Sequence, residues 1–530
     1  MAHGFDPVHG LDPVHGFDGE QDRARVQANV EGSATASPAQ GARPPRGVLL
    51  IAVDAMRADH LGCYGYDRDT STNIDALAAE GTRFVETYAS APLALPAYVS
   101  LFTGCEPMLA RRVLPDGEAT DEQRWNLPES LPRVAVEFLA AGFDTSALVD
   151  DKSLQPSFGF RAGFQRYEVT EDDERGAERL AERMLQWIRG RGRDQRWFGV
   201  LHLNDLERCW FVPDTTVDNY YSVRPELNYI PAVGSTTEAF FAVPFDRWRG
   251  SLTLGRYEAI YDGHLRRLDD AIGRLLNGLR ASRLLDDTLI CLVGTYGMQF
   301  GEAGLYLRSG RYSMADLHVP WIVRMPGANG PRAGAAATSG SGSGGQVVEA
   351  LSSLLDVGPT LIDLAGLPAP SGMQGLSQAA HARAAADPGA DGLDARTTRT
   401  MAFASCGLQE GVLVIDQSGY CLESLVPDRT LSSGMRRSWF GEDRLGEIQW
   451  TQRFYDRRVD PHPPLETPVP SPAPAAFEEM RRRATVWLEN VTLARRVLQE
   501  NLLFHERVEP SVVERLKATG YLAGDVRAER

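Results

Sequence analysis

Residues 48–54 read Val-Leu-Leu-Ile-Ala-Val-Asp, six apolar residues followed by a carboxylate. A short and continuous apolar run is typical of a strand that is buried on both faces of a parallel sheet. A second run of this type, residues 288–293 (Thr-Leu-Ile-Cys-Leu-Val), follows a segment with leucines at helical spacing, residues 261–279. Apolar strands that alternate with amphipathic helices predict an α/β fold with a largely parallel central sheet.

The carboxyl ends of these two strands mark the expected functional site. Ligands bind to open parallel sheets in the crevice outside the carboxyl ends of the strands. Asp54 ends the first strand, and residues 294–301 follow the second. Further along the chain, residues 400–461 have the strand pattern of a small antiparallel sheet, and residues 477–504 have the period of a long amphipathic helix.

The order of these segments resembles that of a known family, the sulfatases of the alkaline phosphatase superfamily. The matching segments are residues 53–66, 73–78, 100–104, 202–205, 261–276, 300–302, 318–323, 356–361 and 516–522. They follow the family's order from about residue 47 to residue 524, so the resemblance spans most of the chain. It implies a three-layer α/β/α sandwich, to which the strand pattern adds a smaller C-terminal antiparallel sheet with helices.

The resemblance and the local composition together predict how the chain is organised. Stretches rich in Gly, Ser and Pro are typical of surface loops and linkers. Helical pieces are expected at residues 347–355 and 359–365. The predicted units are a disordered leader (1–45), a sulfatase-like domain (46–399) with mobile insertions near 327–345 and 379–398, a small β subdomain (400–461), and a Pro-rich linker with C-terminal helices (462–530).

The resemblance implies a divalent metal site, most of which this chain lacks. Hard cations such as Ca²⁺ need several oxygen ligands, mostly carboxylates. Asp54 matches the first family ligand, but Ala55 stands where active members carry a second carboxylate or a Thr. The family's Asp and His or Asn ligands align with Thr295 and Tyr296. Asp54 is therefore expected to be a remnant ligand, and no cofactor is expected.

The family's nucleophile is also missing. Its Cys/Ser-x-Pro-x-Arg signature, whose first residue matures to formylglycine, aligns with residues 94–98, Ala-Leu-Pro-Ala-Tyr. A methyl group cannot attack sulfur or phosphorus, so Ala94 is no nucleophile, and Tyr98 replaces the arginine. Cys105 and Pro107 form a partial copy of the signature, but Leu109 stands where the arginine is required. We interpret that copy as an ordinary turn.

Other polar positions of the family pocket have also lost the residues that the family uses. The family's Lys-x-His aligns with residues 150–152, Asp-Asp-Lys, and its Asp-Pro-His aligns with residues 205–207, Asp-Leu-Glu. The degenerate pocket is therefore expected to contain Asp150, Lys152, His202 and Glu207. Carboxylates at positions 150 and 207 would repel a sulfate or phosphate ester. These replacements predict that the anion chemistry of the family has been lost.

Bulk properties exclude some partners and locations. The 530-residue chain has a net charge of −16, which argues against a nucleic-acid partner, since phosphate backbones require clustered basic groups. No apolar stretch approaches the roughly 18 residues of a membrane span, and no secretory signal is visible. The six cysteines form no CxxC pair. A cytoplasmic location is the expectation from these features.

Three hypotheses follow. The first is a catalytically degenerate sulfatase-fold protein that binds an unidentified ligand or partner protein through the old cleft. The second is a hydrolase of sulfate or phosphate esters with a rebuilt site that works without metal, or with Ca²⁺ or Mg²⁺; its acid and base groups would come from Asp54, Tyr98, Asp150, His202, Asp205, Glu207 and Tyr296. The third is a structural subunit that docks a partner on residues 477–504.

Overall fold

The structure is a computed structural model. It describes residues 44–110, 127–151, 154–170, 176–192, 194–209, 221–222, 254–302, 306–307, 312–328, 345–386, 399–405, 411–425, 451–462, 469–470 and 474–503. These residues belong to one compact unit that begins at residue 43. The predicted leader, most of the insertion near 327–345 and the end of the chain lie outside the described residues.

The described chain alternates between strands and helices. The strands are β1 Gly47–Val53, β2 Thr82–Phe84, β3 Thr87–Tyr88, β4 Asp144–Val149, β5 Arg166–Val169, β6 Trp197–Leu203, β7 Thr288–Gly294, β8 Gln299–Phe300, β9 Tyr306–Leu307, β10 Trp321–Arg324, β11 Gln346–Val348, β12 Ser352–Ser353, β13 Met401–Ser405, β14 Gly411–Asp416, β15 Tyr420–Leu425 and β16 Thr451–Asp456. The α-helices are α1 Thr72–Glu80, α2 Ala94–Thr103, α3 Val134–Ala140, α4 Ala177–Arg189, α5 Asp205–Arg208, α6 Leu254–Ala281, α7 Met314–Leu317, α8 Val357–Leu364, α9 Ala379–Ala386 and α10 Ala475–Leu503.

Eight strands form the central sheet, in the order β11-β2-β10-β7-β1-β6-β4-β5. β1 lies in the middle, parallel to β6 on one side and to β7 on the other, so Leu50 is opposite both Val200 and Cys291. β10 is the reversed strand, antiparallel to β7 and β2. The apolar run at 48–53 thus forms a central strand that is buried on both faces, as its composition predicts.

Alternate residues of β1 enter two separate cores, one on each face of the sheet. Leu49 and its alternate neighbours pack with helices α1, α4 and α6. Leu50 and its alternate neighbours pack with helices α2, α3, α8 and α10. Helices on both faces of a mostly parallel sheet define a three-layer α/β/α sandwich. The predicted fold class is confirmed.

The second sheet is antiparallel throughout, in the order β13-β14-β15-β16. Helix α10 covers it: the rings of Phe403 and Trp487 are stacked 5.0 Å apart, and Phe477 meets Phe454 edge to face. The same helix contacts the 3-10 helix Pro107–Ala110 of the larger core. The predicted C-terminal antiparallel sheet with helices is therefore confirmed.

Two local predictions differ from the structure. The helix expected at 347–355 is wrong: β11 and β12 occupy this segment, followed by the 3-10 helix Leu354–Asp356. Pairing of β11 with β2 and of β12 with β3 outweighs the helical spacing of the apolar residues. The predicted insertion at 379–398 begins as helix α9, with Ala379 and Ala382 buried; residues 387–398 are outside the described part.

None of the described helices combines the length and the apolar character required to cross a bilayer.

Candidate functional site

Three strand ends meet at Asp54. The backbone N–H of Asp54 donates to the carbonyl of Leu203 on β6 (3.0 Å), and the N–H of Thr295, just after β7, donates to the carbonyl of Val53 (3.0 Å). These bonds continue the parallel ladders by one residue beyond β1. Asp54 and Thr295 therefore lie at the carboxyl edge of the sheet, where ligand sites of this fold class are expected.

The carboxylate of Asp54 is closed in by three side-chain donors. Its Oδ1 accepts hydrogen bonds from the hydroxyl of Tyr98 (2.8 Å) and from Oγ1 of Thr295 (2.5 Å), and its Oδ2 accepts from Nε2 of His202 (3.0 Å). All four residues have 0% of their surface exposed. A buried carboxylate is costly unless it is hydrogen-bonded, and these donors meet that requirement.

His202 connects Asp54 to the end of β4. Its Nδ1 accepts the backbone N–H of Asp150 (3.1 Å), so the proton of the neutral ring resides on Nε2 and points at Asp54. Burial lowers the pKa of His202, but the carboxylates of Asp54, Asp151 and Asp150 raise it, with a net rise. The hydrogen bond that Nδ1 accepts opposes protonation of that nitrogen. This bond therefore favours the tautomer with its proton on Nε2.

Two buried phenols remain protonated donors. Burial, together with the charge of Asp54, raises the pKa of both Tyr98 and Tyr296 well above the ordinary value. Tyr98 donates to Asp54, and Tyr296 donates to Oε2 of Glu207 (2.6 Å). Each phenol therefore stabilises a carboxylate that the sequence assigns to the pocket.

A third carboxylate, that of Asp151, completes the site. Asp54, Asp151 and Glu207 each offer one oxygen within 4.8 Å of the others. Sequence reasoning assigned the pocket to Asp150 and missed Asp151. The signal was the pair itself: consecutive residues at the end of a strand project in opposite directions, so only one of the two faces the site.

Asp150 faces away from the carboxylate group and has its own cation. Its carboxylate forms an ion pair with Arg208 and accepts a hydrogen bond from Thr170 (2.9 Å). Burial raises the pKa of Asp150, whereas Arg208 lowers it, and the net shift is upward. Its backbone N–H contacts the Asp54 group by donating to Nδ1 of His202. Lys152 lies outside the described residues.

The two alanines at family positions supply no side-chain chemistry. Ala94 is the first residue of α2, one turn before Tyr98. Ala55 has a φ of 56°, a left-handed conformation that is uncommon for residues other than glycine. Its carbonyl accepts the hydroxyl of Tyr261 (2.7 Å), which helps to hold the turn after Asp54 in this strained form.

Two other residues singled out from the sequence have structural contacts. Asp205 accepts the backbone N–H of Ala177 (3.1 Å) at the start of α4, which is the role of a helix cap. Cys105 is fully buried, and burial raises the pKa of its thiol to about 12. A thiol with this pKa has almost no thiolate at neutral pH, so Cys105 is not a reactive nucleophile.

The residues at the family's metal positions do not fit a divalent cation. Asp54 is the single carboxylate among them, and both of its oxygens already accept hydrogen bonds. Thr295 uses its hydroxyl as a donor to Asp54, and Tyr296 donates to Glu207. Ca²⁺ requires about six to eight oxygen ligands and Mg²⁺ a near-ideal octahedron. Together with Ala55, which has no side-chain oxygen, these residues do not supply the oxygen ligands of either ion.

Comparison with solved structures supports the fold class first. The chain superposes on the phosphonate monoester hydrolase of Agrobacterium radiobacter with a TM-score of 0.59 and 19% identity, over 86% of this chain and 96% of the other. At this identity the likeness establishes the fold and no more. The shared architecture is the three-layer α/β/α sandwich described above.

Sequence comparison then gives the family. The family model described as Sulfatase matches residues 46–367, more than half of the chain, so this chain belongs to the sulfatase family. It is 22% identical to an arylsulfatase of Clostridium perfringens over 388 residues, covering 62% of this chain and 77% of the relative. It is 27% identical to human arylsulfatase A over 357 residues, covering 62% of this chain and 66% of the relative.

Proposed function

We propose that this chain is a noncatalytic member of the sulfatase family, which binds a ligand or partner protein and does not hydrolyse sulfate or phosphate esters. The observation that carries the proposal is the closed Asp54 carboxylate, with hydrogen bonds from Tyr98, Thr295 and His202. A hydrolase needs a reacting centre that its substrate reaches. All of these residues have 0% exposure, so an ester cannot reach them without rearrangement of the core.

The available nucleophiles support the same proposal. Ala94 has no nucleophilic atom at the position that the family uses. Thr295 is a hydroxyl next to a carboxylate, an arrangement that in an open site would activate it. Here its hydroxyl proton points at Asp54, and its side chain is fully buried. No attacking group is thus presented to a substrate by these positions.

Charge at the site also opposes an anionic substrate. Asp54, Asp151 and Glu207 place three carboxyl groups close together. If ionised, they repel the sulfate or phosphate group of an ester; even at an effective dielectric constant of 20, two unit charges 4 Å apart interact by about 4 kcal/mol. A ligand that enters this end of the sheet would therefore be neutral or cationic.

The second candidate is an ester hydrolase with a rebuilt site. One observation favours it: the oxygens of Asp54, Asp151 and Glu207 lie within 4.8 Å of one another, close enough to ligate a single cation. A divalent ion there would offset the three negative charges and could activate water. Against it, both oxygens of Asp54 already accept hydrogen bonds, so a cation would have to compete with Tyr98, Thr295 and His202 for this carboxylate.

Turnover assays separate the two candidates. The purified chain is incubated with 4-nitrophenyl sulfate, 4-nitrophenyl phosphate and a phosphonate monoester, each in EDTA and in Ca²⁺, Mg²⁺, Mn²⁺ or Zn²⁺. We expect no turnover above that of buffer in any condition. A rebuilt hydrolase would instead turn over at least one substrate: with one of the metals if it needs a cation, and also in EDTA if it works without one.

Matched variants identify the source of any activity. Asp151→Asn and Glu207→Gln remove carboxylates of the site, whereas Glu479→Gln removes an exposed carboxylate on α10. Turnover that both site variants abolish and Glu479→Gln retains would overturn the noncatalytic proposal. Turnover that all three variants retain comes from a contaminant and leaves the chain inactive, as proposed.

A further inference from the structure

We propose that Tyr98, Thr295 and His202 take over the structural role of a bound cation: they hold the Asp54 carboxylate and tie together the elements around it without a metal. The inference concerns how the centre of the fold is stabilised and does not depend on whether the chain has a catalytic activity. It starts from the mismatch between the family's metal and the residues at its positions.

The hydrogen bonds join elements that are distant in sequence. Asp54 follows β1, His202 is on β6, Thr295 follows β7, and Tyr98 is on α2. The donors are separated from Asp54 by 44, 148 and 241 residues along the chain. A single carboxylate thus connects three strand ends and a helix, which is what a shared metal ion achieves when its ligands come from several elements.

Two of the three donors stand where the sequence departs from the family pattern. Tyr98 is at the position of the family's arginine, and Thr295 is at that of a metal-binding carboxylate. Both hydroxyls donate to the same oxygen, Oδ1 of Asp54. The two replaced residues, Tyr98 and Thr295, therefore both stabilise Oδ1 of Asp54. Together they compensate for the positive charge that the family's metal ion would supply. An ionised carboxylate has about four acceptor sites, of which three are used here.

The surroundings make this arrangement independent of exchangeable ions. Asp54 and its three donors have no exposed surface, so a cation in solution has no open route to the carboxylate. His202 is oriented by the backbone N–H of Asp150, which fixes its Nε2–H towards Asp54. Tyr98 also packs its ring edge to face with that of His202, with centroids 4.8 Å apart. Contacts within the protein therefore hold these two donors in place, and no bound ligand is needed for this.

Thermal melts of the whole chain test the proposal in two ways. First, the wild-type protein is melted in EDTA, Ca²⁺ and Mg²⁺, and its metal content is measured. We expect the same melting temperature within about 1 °C in all three and substoichiometric metal, since a ligand that does not bind the native state does not stabilise it. Stoichiometric metal, or a rise of several degrees with either ion, would overturn the proposal.

Second, the donors are removed one at a time. Tyr98→Phe and Thr295→Val keep the shape of the side chain and delete the hydroxyl. The matched control is Tyr312→Phe, which deletes a buried phenol that donates to the neutral carbonyl of Gly411 (2.9 Å). We expect Tyr98→Phe to lower the melting temperature by several degrees, by more than the control does, because hydrogen bonds to charged groups are about twice as strong as neutral ones.

The combination of variants distinguishes a shared centre from independent contacts. If the donors act through Asp54, the loss in Asp54→Asn with Tyr98→Phe is smaller than the sum of the two separate losses. Additive losses, or a loss in Tyr98→Phe no larger than in Tyr312→Phe, would contradict the proposal. If Asp54→Asn does not fold, the pair Tyr98→Phe and Thr295→Val, which share Oδ1, gives the same comparison. Metal-independent turnover would end the noncatalytic proposal above and leave this one standing.

Discussion

Two buried carboxylates of this chain have contrasting surroundings. Asp54 accepts hydrogen bonds from three side chains. Glu106, shortly after helix α2, is 5% exposed and accepts one, from Nε1 of Trp487 on helix α10 (3.0 Å); its Oε2 has no hydrogen-bond partner among the described residues. Burial raises the pKa of Glu106 to about 7, against the lowering by Trp487. Burial alone favours the neutral carboxyl, whereas several donors favour the ionised one.

The charges near Glu106 do not substitute for the missing donors. Arg399 lowers the pKa of Glu106 and Asp356 raises it, but both effects are smaller than that of burial. Arg399 is itself engaged with Asp356, to which its Nε donates (3.0 Å). The comparison therefore sets a carboxylate whose oxygens accept three hydrogen bonds against one whose ionisation is opposed by burial. Substitutions at the two positions are expected to have opposite signs.

The largest effect is expected for Asp54→Asn. The amide retains one acceptor oxygen and places an NH₂ group among the donors Tyr98, Thr295 and His202, so at least one hydrogen bond is lost and a repulsive donor pair is created. We expect the free energy of unfolding to fall by about 3 kcal/mol, measured by urea denaturation. From the sequence alone, with no partner visible for Asp54, the expected effect is close to zero or mildly stabilising.

A matched control for this substitution is Asp316→Asn. Asp316 is also buried, and burial raises its pKa well above the ordinary value, which favours the neutral carboxyl, for which an amide is a closer substitute. Its Oδ2 accepts from Oγ of Ser313 (2.9 Å) and from the amide of Gln299. We expect a much smaller loss than at Asp54. Equal losses at the two positions would show that the three donors at Asp54 have no special importance.

How far the sequence predicts this site depends on what each residue contacts. The position of Asp54 at the carboxyl edge of the sheet is predictable because the apolar run at 48–53 specifies a buried parallel strand. The loss of the nucleophile is predictable from the sequence because the alanine at position 94 has no nucleophilic atom. The sequence does not predict that Tyr98 and Thr295 donate to Asp54. These hydrogen bonds depend on how α2 packs against strand ends more than 40 residues away.

The errors have similar causes. Asp150 and Asp151 are adjacent and chemically identical, so only the direction of each side chain at the end of β4 decides which one joins Glu207. The helix predicted at 347–355 has a helical apolar period, but its residues pair with β2 at the edge of the central sheet and with β3 in a separate two-stranded sheet. In both cases long-range contacts decide between two locally acceptable alternatives.

A smaller and pH-dependent effect is expected for Glu106→Gln. The folded-state pKa of Glu106 lies above its ordinary value of 4.5, so ionisation opposes folding. In the wild-type protein this group lowers stability progressively as the pH rises from about 4.5 to about 7, and the penalty is complete above that range. Glutamine has no such penalty. We expect it to raise the free energy of unfolding by about 2 kcal/mol at pH 8 and to change it little at pH 5.

The measurement is a pair of urea titrations at pH 5 and pH 8 for wild type and Glu106→Gln. Glu479→Gln serves as the control because this carboxylate on α10 is partly exposed and paired with neighbouring arginines. Arginines lower the pKa of Glu479 to about 2, so its charge state does not change between the two pH values. A pH-independent effect of Glu106→Gln, or a loss at pH 8, would mean that folding does not raise the pKa of Glu106.

The smallest effect is expected for Ala94→Ser, which restores a nucleophilic atom at the family position. Ala94 is the first residue of α2, where a serine is compatible with the helix, so the free energy of unfolding is expected to change by less than about 0.5 kcal/mol. The new hydroxyl lacks what would activate it: Asp54 is occupied by Tyr98, Thr295 and His202. Because groups of one catalytic unit do not act singly, turnover of 4-nitrophenyl sulfate should stay at the level of wild type and of buffer.

The comparison is sharpened by the double variant Ala94→Ser with Tyr98→Phe. It frees one acceptor site on Asp54 but leaves Ala55, Thr295 and Tyr296 unchanged at the positions of the family's other metal ligands. Turnover by either variant, lost again on Asp54→Asn, would mean that the Asp54 centre retains more of a catalytic site than its hydrogen bonds indicate.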